Sequence, residues 1–135
     1  MINMDAKDLM IGDHLIYISG EHCIVSEISA KGLIATSFID AKGKKQYSTL
    51  LPERDFEPIP LTAEILEKNG FSPCEMHNGE YEYISDSNLI QVARCKSEYC
   101  WYVSIEHVIL CLKIKYVHEL QHALRLAGVE KEIKL

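Results

Sequence analysis

The sequence predicts a β-rich α+β protein. An N-terminal small antiparallel barrel of the SH3-like kind is followed by a short helix, an antiparallel meander and a C-terminal helix. Three observations carry that expectation. Short runs of β-branched and aromatic residues bounded by turn residues recur through the chain. Pro52, Pro58 and Pro60 interrupt that pattern, and helical apolar spacing appears in only two places. With 135 residues, 47% of them hydrophobic, the chain can bury one ordinary core or two very small ones without staples.

The first sixty residues read as strands separated by turns. Asp8-Leu-Met-Ile-Gly-Asp13 leads into His14–Ile18, Gly20-Glu21 turns into Cys23–Ile28, and Lys31-Gly32 turns into Leu33–Ile39. A further run, Gln46 to Leu51, follows a turn built on Lys42, Gly43, Lys44 and Lys45. Several short strands with tight turns and a Leu-x-x-Gly-Asp opening suggest the barrel. The prolines then predict a stiff, extended connector, because they lack the N–H groups a central strand needs. That places a boundary between a barrel at 1–60 and a second region at 61–135, with the packing of the two left open.

Thr62 is the expected N-cap of a helix from Ala63 to Asn69. Leu61 pairs with Leu66, Gly70 is the stop, and Phe71 folds back onto Leu66. The predicted strands after it are Tyr81–Ser85, Leu89–Lys96, Tyr99–Ile105 and Val108–Ile114. Turns are expected at Asp86-Ser87-Asn88 and Ser97-Glu98. A two-residue loop at Ser97-Glu98 sets Cys95 opposite Cys100 and Arg94 opposite Trp101. Ile90, Val92, Trp101, Val103 and Ile105 then line one face, against which a closing helix can dock. That helix is predicted around 117–127, where Val117, Leu120, Leu124 and Ala127 recur at spacings of three and four and Gly128 supplies the left-handed stop.

The net charge of −6 argues against broad binding to a nucleic-acid backbone, which needs clustered Lys and Arg. The basic turn Lys42, Lys44, Lys45 is the one candidate phosphate contact, and a solvated turn is its plainer reading. With no signal-like leader and no membrane-length apolar run, the expected compartment is the cytoplasm. The five cysteines fit it as reduced, buried thiols, although an opposed Cys95 and Cys100 could serve as a redox pair. Asp5, Asp8 and Asp13 lack calcium-loop spacing and read as turn and cap residues. Phosphate loops, nucleophile elbows and dinucleotide fingerprints are missing.

One stretch names a chemistry: His118-Glu119-Leu120-Gln121-His122 is an H-E-x-x-H. In a zinc hydrolase His118 and His122 would ligate the metal, Glu119 would be the general base, and a third ligand would complete the site. The helical wheel argues against it. Val117, Leu120, Ala123, Leu124 and Ala127 share the inward side, and the two histidines project oppositely, beside Lys115 and Arg125, into water. The extended form of the motif fails at Arg125 and Gly128. Glu130 and Glu132 could reach back only by a sharp reversal, which leaves His77 or His107 as upstream third ligands. Tyr81, Tyr83, Tyr99, Trp101 and Tyr102 concentrate aromatic residues on the second sheet, where exposed members would mark a contact surface.

Asp8–Asp13, the stretch Phe56-Glu-Pro-Ile-Pro-Leu-Thr-Ala-Glu-Ile-Leu-Glu-Lys-Asn-Gly-Phe71, and Lys115-Tyr-Val-His-Glu-Leu-Gln-His122 together resemble a group of small proteins of gut Bacteroidota and their phages or integrated elements. The resemblance spans most of the chain, its motifs look structural, and it implies no activity and no catalytic residue. The expected function is therefore a non-enzymatic binding or accessory protein without a cofactor, associated with a phage or mobile element, whose partner is another protein or a second copy of itself. The alternatives are a zinc-dependent hydrolase and a nucleic-acid-binding small barrel.

Overall fold

The computed structural model describes residues 6–75, 81–85, 90–95, 100–105, 108–129 and 131–135. Among these residues the protein is α+β and strand-rich, with two five-stranded antiparallel sheets and two α-helices. The chain divides into two compact units, Met1–Ile59 and Pro60–Leu135.

The first unit contains β1 (His14–Tyr17), β2 (His22–Ile28), β3 (Ile34–Ile39), β4 (Lys45–Tyr47) and β5 (Phe56–Pro58), with single 3-10 turns at Ala6–Asp8 and Glu53–Asp55. The sheet order is β4-β3-β2-β1-β5. Period-two alternation fills its inner face, since Leu15 pairs with Cys23 and Val25 with Thr36. A bulge between Val25 and Glu27 inserts one residue, which returns Ile28 to the inner face opposite Ile34 and bends the strand. Ala6, Leu9, Leu15, Cys23, Val25, Ile34 and Phe56 form the buried core. Asp13 is buried too: its carboxylate accepts from Met10 N–H at 2.7 Å and its carbonyl from Val25 N–H, the turn role expected of it. Asp8 is exposed, and Asp5 lies outside the described residues.

Two expectations change here. The sheet is open among the described residues, with β4 and β5 as its edges, where a barrel was expected. The proline stretch is also more than a connector: Pro52 precedes a 3-10 turn, and Phe56–Pro58 pairs with β1. An edge strand tolerates a proline because one of its sides needs no N–H. The run from Gln46 to Leu51 touches β3 twice, through β4 and again through reciprocal 2.8 Å bonds between Ile34 and Leu51.

The second unit holds α1 (Ala63–Lys68), β6 (Phe71–Glu75), β7 (Tyr81–Ser85), β8 (Ile90–Cys95), β9 (Cys100–Ile105), β10 (Val108–Ile114) and α2 (Val117–Leu126), with sheet order β10-β9-β8-β7-β6. Thr62 caps α1, accepting from Ile65 N–H at 3.3 Å. Cys95 pairs with Cys100 and Arg94 with Trp101, the anticipated register. The Ser97-Glu98 and Asp86–Asn88 turns and the Cys95 side chain lie outside the described residues. Strand β6 was not anticipated, because Pro73 sits inside it; its edge position explains the tolerance. Register shifts in β10 coincide with a positive φ of 62° at Lys113, an irregular end to that strand.

Ile90, Val92, Trp101 and Val103 are buried on one sheet face, and Val117, Leu120 and Leu124 are buried on α2. The helix ends as anticipated: Gly128 takes φ 76°, its N–H reaches Arg125 carbonyl, and Val129 N–H reaches Leu124 carbonyl. Ala127, placed inward by the wheel, is exposed at the cap. Beyond the helix the chain returns as a tail held by two side-chain amides. Gln121 donates to Lys131 carbonyl and accepts from Ile133 N–H, both at 2.8 Å. Asn69 donates to Lys134 carbonyl and accepts from Lys134 N–H, both at 2.7 Å. Each carboxamide presents the donor and acceptor of a peptide group, so the tail is bound as a strand neighbour would bind it. Ile133 is thereby buried.

Candidate functional site

The H-E-x-x-H segment is built into the structure of the second unit. Glu119 lies in the first turn of α2, and its Oε1 accepts from Lys115 N–H at 3.0 Å and Tyr116 N–H at 3.1 Å. That is half of a capping box, which holds the carboxylate on donors left unsatisfied at the helix start. His118 is not in water as expected: only 6% of it is exposed, its ring stacked on Tyr116 at 5.9 Å and edge-on to His122 at 5.6 Å. The wheel failed because it assumed one buried face. The buried arc of α2 runs from Ala123 through Leu120, Leu124, Val117 and Gln121 to His118, about 220° at about 100° per residue. The tail covering the Gln121 flank widens it. His122 is only partly buried. Among the described residues no group of three metal-ligating side chains comes together; His77 and His107 lie outside them.

The aromatic candidates separate in the same way. Trp101, a contact candidate had it been exposed and expected on the face the closing helix covers, is buried: its indole N–H donates to Leu61 carbonyl at 3.2 Å, Tyr83 meets it edge-on, and the Arg94 guanidinium sits 5.8 Å from its ring centre. Tyr102 is half-buried opposite Ala93, and Tyr99 lies outside the described residues. The Lys42–Lys45 turn is exposed and organised around Asp40. The Asp40 carboxylate accepts from Lys42 N–H, Lys44 N–H and Gln46 Nε2; these bonds, that from Lys44 first, hold it below its ordinary range.

The recess with the most suggestive chemistry lies in the first unit, where the core runs out toward one end of the sheet. Following Leu15 and Thr36 by two residues along their strands gives Tyr17 and Phe38, which therefore stand on the inner face and pack on the rim of the core. They line a recess of about 300 Å³, which Tyr47 borders from the end of β4, although its pairing opposite Ser37 turns its side chain to the other face of the sheet. Glu21, Ser48, Thr49 and Leu51 complete its wall, and Cys23 and Thr36 its floor. Glu21 is brought beside Tyr17 by the β1–β2 turn, in which Gly20 N–H bonds Tyr17 carbonyl at 2.7 Å and Tyr17 N–H bonds Glu21 carbonyl at 2.8 Å. Gly20 has φ 92°, a conformation that explains glycine there.

The Ser48 hydroxyl and the Cys23 thiol are chemically quiet. Ser48 Oγ accepts from Thr36 N–H at 2.9 Å and lies 2.9 Å from Thr49 carbonyl, to which it donates. The Cys23 thiol contacts Leu15 carbonyl at 3.5 Å, and burial raises it above its ordinary value, outweighing the Thr36 hydrogen bond; Glu21 nearby raises it further. A thiol shifted that way is a poor nucleophile. The bordering Tyr47 is different: it is 65% exposed, and its ring already attracts a cation, with Lys45 Nζ 5.7 Å from the ring centre.

On the opposite face of the same strands, His14 Nδ1 lies 2.8 Å from His22 Nε2 with the rings stacked. The Leu15–Cys23 register brings the two together across the hairpin. Burial, and then His14, holds His22 below its ordinary value of 6.5. A second recess, of about 640 Å³, gathers Lys7, Lys31 and Arg54 together with Glu53. Neither the histidine pair nor the aromatic recess was anticipated from sequence. The available signal was the spacing Leu15-x-Tyr17 and Thr36-x-Phe38, together with the Gly20 turn that fixes the hairpin register. Comparison with protein-family models, with curated proteins and with solved structures finds no match.

Proposed function

We propose that the chain is a binding or accessory protein and not an enzyme, and that the aromatic recess of its first unit is the binding seat. The observation that carries this reading is an open recess lined by Tyr17, Phe38, Leu51 and Glu21 and bordered by the exposed Tyr47, in which the Ser48 hydroxyl is already hydrogen-bonded. Such a wall offers contact area and orientation, while the buried thiol beneath offers no reactivity. In this reading the first unit is an open relative of the small SH3-like barrels, its five-stranded sheet curled by the β2 bulge. Such barrels commonly bind through loop faces and strand edges. The cytoplasm is the proposed setting, and association with a phage or mobile element follows from the resemblance. No helix among the described residues is long and apolar enough to cross a membrane.

The test compares the protein with its Tyr47→Ala variant in affinity capture and in light scattering after size exclusion. Tyr47 is exposed, so the variant should keep the wild-type urea midpoint within about 0.5 kcal/mol of stability. Loss of a captured partner, or of self-association, supports the reading; full retention of both overturns it.

A second reading has one observation in its favour. Lys7, Lys31 and Arg54 line a recess in a chain of net charge −6, which could receive an anion or a nucleic-acid phosphate. It predicts single-strand or duplex affinity that falls steeply with added salt. A flat salt response removes it.

A further inference from the structure

We infer that two copies of the chain associate by exchanging the segment 131–135, each copy's segment lying in the clamp that Asn69, Gln121 and Arg125 form in the other. This surface belongs to the second unit and is independent of the recess reading.

The clamp holds an extended peptide by its backbone and by its side chains. Gln121 and Arg125 stand four residues apart on α2 and so share one flank of that helix, while Asn69 closes α1. The two amides bond the backbone of Lys131, Ile133 and Lys134 at 2.7–2.8 Å. Side chains set the register: the Lys131 ammonium lies 5.6 Å from the Phe71 ring centre, Glu132 reaches Arg125 at 3.5 Å, and Ile133 is buried. Residues 131–135 belong to no helix or strand, so their departure takes no bond from the ladders of α1, α2 or the sheet.

The same segment from a second copy makes the same bonds, so occupancy within one chain and between two differs only at the hinge and in what the exchange brings together. Both differences allow or favour the exchange. The hinge is Gly128, where φ is 76° and a Cβ would meet nothing within 4 Å, a glycine in open space that can redirect the chain. Close before it, in the last turn of α2, Leu126 is 89% exposed, more than any other large hydrophobic residue among those described. Only a few residues separate Leu126 from Lys131, so an exchange must bring the two α2 ends together. Each Leu126 then lies against the other copy's helix end, an apolar contact that the single chain lacks.

A foreign peptide is a poorer occupant. It would have to supply a cation, an acid and a branched aliphatic residue in consecutive positions, and to displace a segment tethered beside its site. In the exchange neither clamp is left empty. The added contact is small, so the dimer is weak, with a dissociation constant on the order of 100 µM.

The experiment uses the intact chain. Light scattering from about 10 µM to about 1 mM should show monomer passing to dimer. Chains labelled with heavy nitrogen are then mixed with chains labelled with heavy carbon and equilibrated. Isotope-filtered spectra should show cross-relaxation between the Ile133 amide of one label and the Gln121 side-chain protons of the other. Leu126→Lys, at an exposed position and with a charge suited to a helix C-terminus, should keep the urea midpoint of the dilute protein and weaken dimerisation about ten-fold or more.

A dimer without the Ile133–Gln121 signal between labels overturns the exchange, as does a dimer unaffected by Leu126→Lys or a monomer throughout the range. Tyr47→Ala should leave the exchanged dimer in place, so that partner capture alone then tests the recess. Capture retained in that variant, with the exchange signal present, removes the recess reading and keeps this one.

Discussion

The two sheets of this protein have the same number of strands and the same antiparallel pairing, yet they treat their chemistry-bearing residues in opposite ways. In the second unit the strands follow one another in sequence order. Its polar groups are engaged in holding it together: Glu119 at the start of α2, Gln121 and Asn69 along the tail, and the Trp101 indole on Leu61. In the first unit the last strand returns beside the first, the core tapers toward one end, and Tyr17, Phe38 and Glu21 line an open recess there. A recognisable motif is therefore a statement about residue types. Whether those residues are available for chemistry depends on what they already hold.

The comparison breaks most visibly at Gln121. If its amide is a structural clamp, Gln121→Ala leaves Ile133 N–H and Lys131 carbonyl without their partner in a buried setting, and should cost about 2–3 kcal/mol in urea unfolding. Tyr47→Ala, by contrast, should leave stability almost unchanged. A small loss at Gln121 would mean that the tail is not held by this side chain.

Glu119 gives the next test, and it separates cap from general base. Removing the cap in Glu119→Ala should destabilise by about 1 kcal/mol, while Glu119→Gln, whose oxygen can still accept from Tyr116 N–H, should stay within about 0.5 kcal/mol of wild type. Elemental analysis of protein purified without chelator sharpens the contrast. The structural reading expects no stoichiometric zinc; metal bound at one equivalent and lost in His118→Ala would restore the hydrolase.

The smallest expected effect lies in the first unit, at the histidine pair. Because the His22 imidazole is held below 6.5 in the folded protein, the native state binds protons less readily than the unfolded chain. Its contribution to stability is complete above pH 6.5 and is lost as pH falls from there through the lowered folded value. The urea midpoint should accordingly be level above 6.5 and decline below it, and His22→Gln should flatten that step. A midpoint that rises on acidification through this window would show that the pair is not packed as described.

Much of the second unit was legible because its signals are local. Alternation placed β7 to β10 within about a residue or two, a two-residue turn predicted the Cys95–Cys100 register, and Gly128 predicted the end of α2. The misses share one cause: each depended on an element distant in sequence. His118 and Gln121 are buried on a helix flank that no one-face pattern marks, and residues 131–135 cover the Gln121 side. Pro73 hid β6 because only its edge position makes a proline acceptable there. Tyr17 and Phe38 looked like ordinary strand residues until β1, β2 and β3 were set side by side.

What the sequence determined by itself was the strand-rich α+β class, the turns, the caps and most strand limits, since these follow from residue periodicity and backbone preference over a few positions. Tertiary structure alone decided that Gln121 clamps the returning tail and that Tyr17, Phe38 and Glu21 line one recess. Those outcomes depend on which distant groups arrive within hydrogen-bond or ring-contact distance, and spacing along a single segment carries no such information.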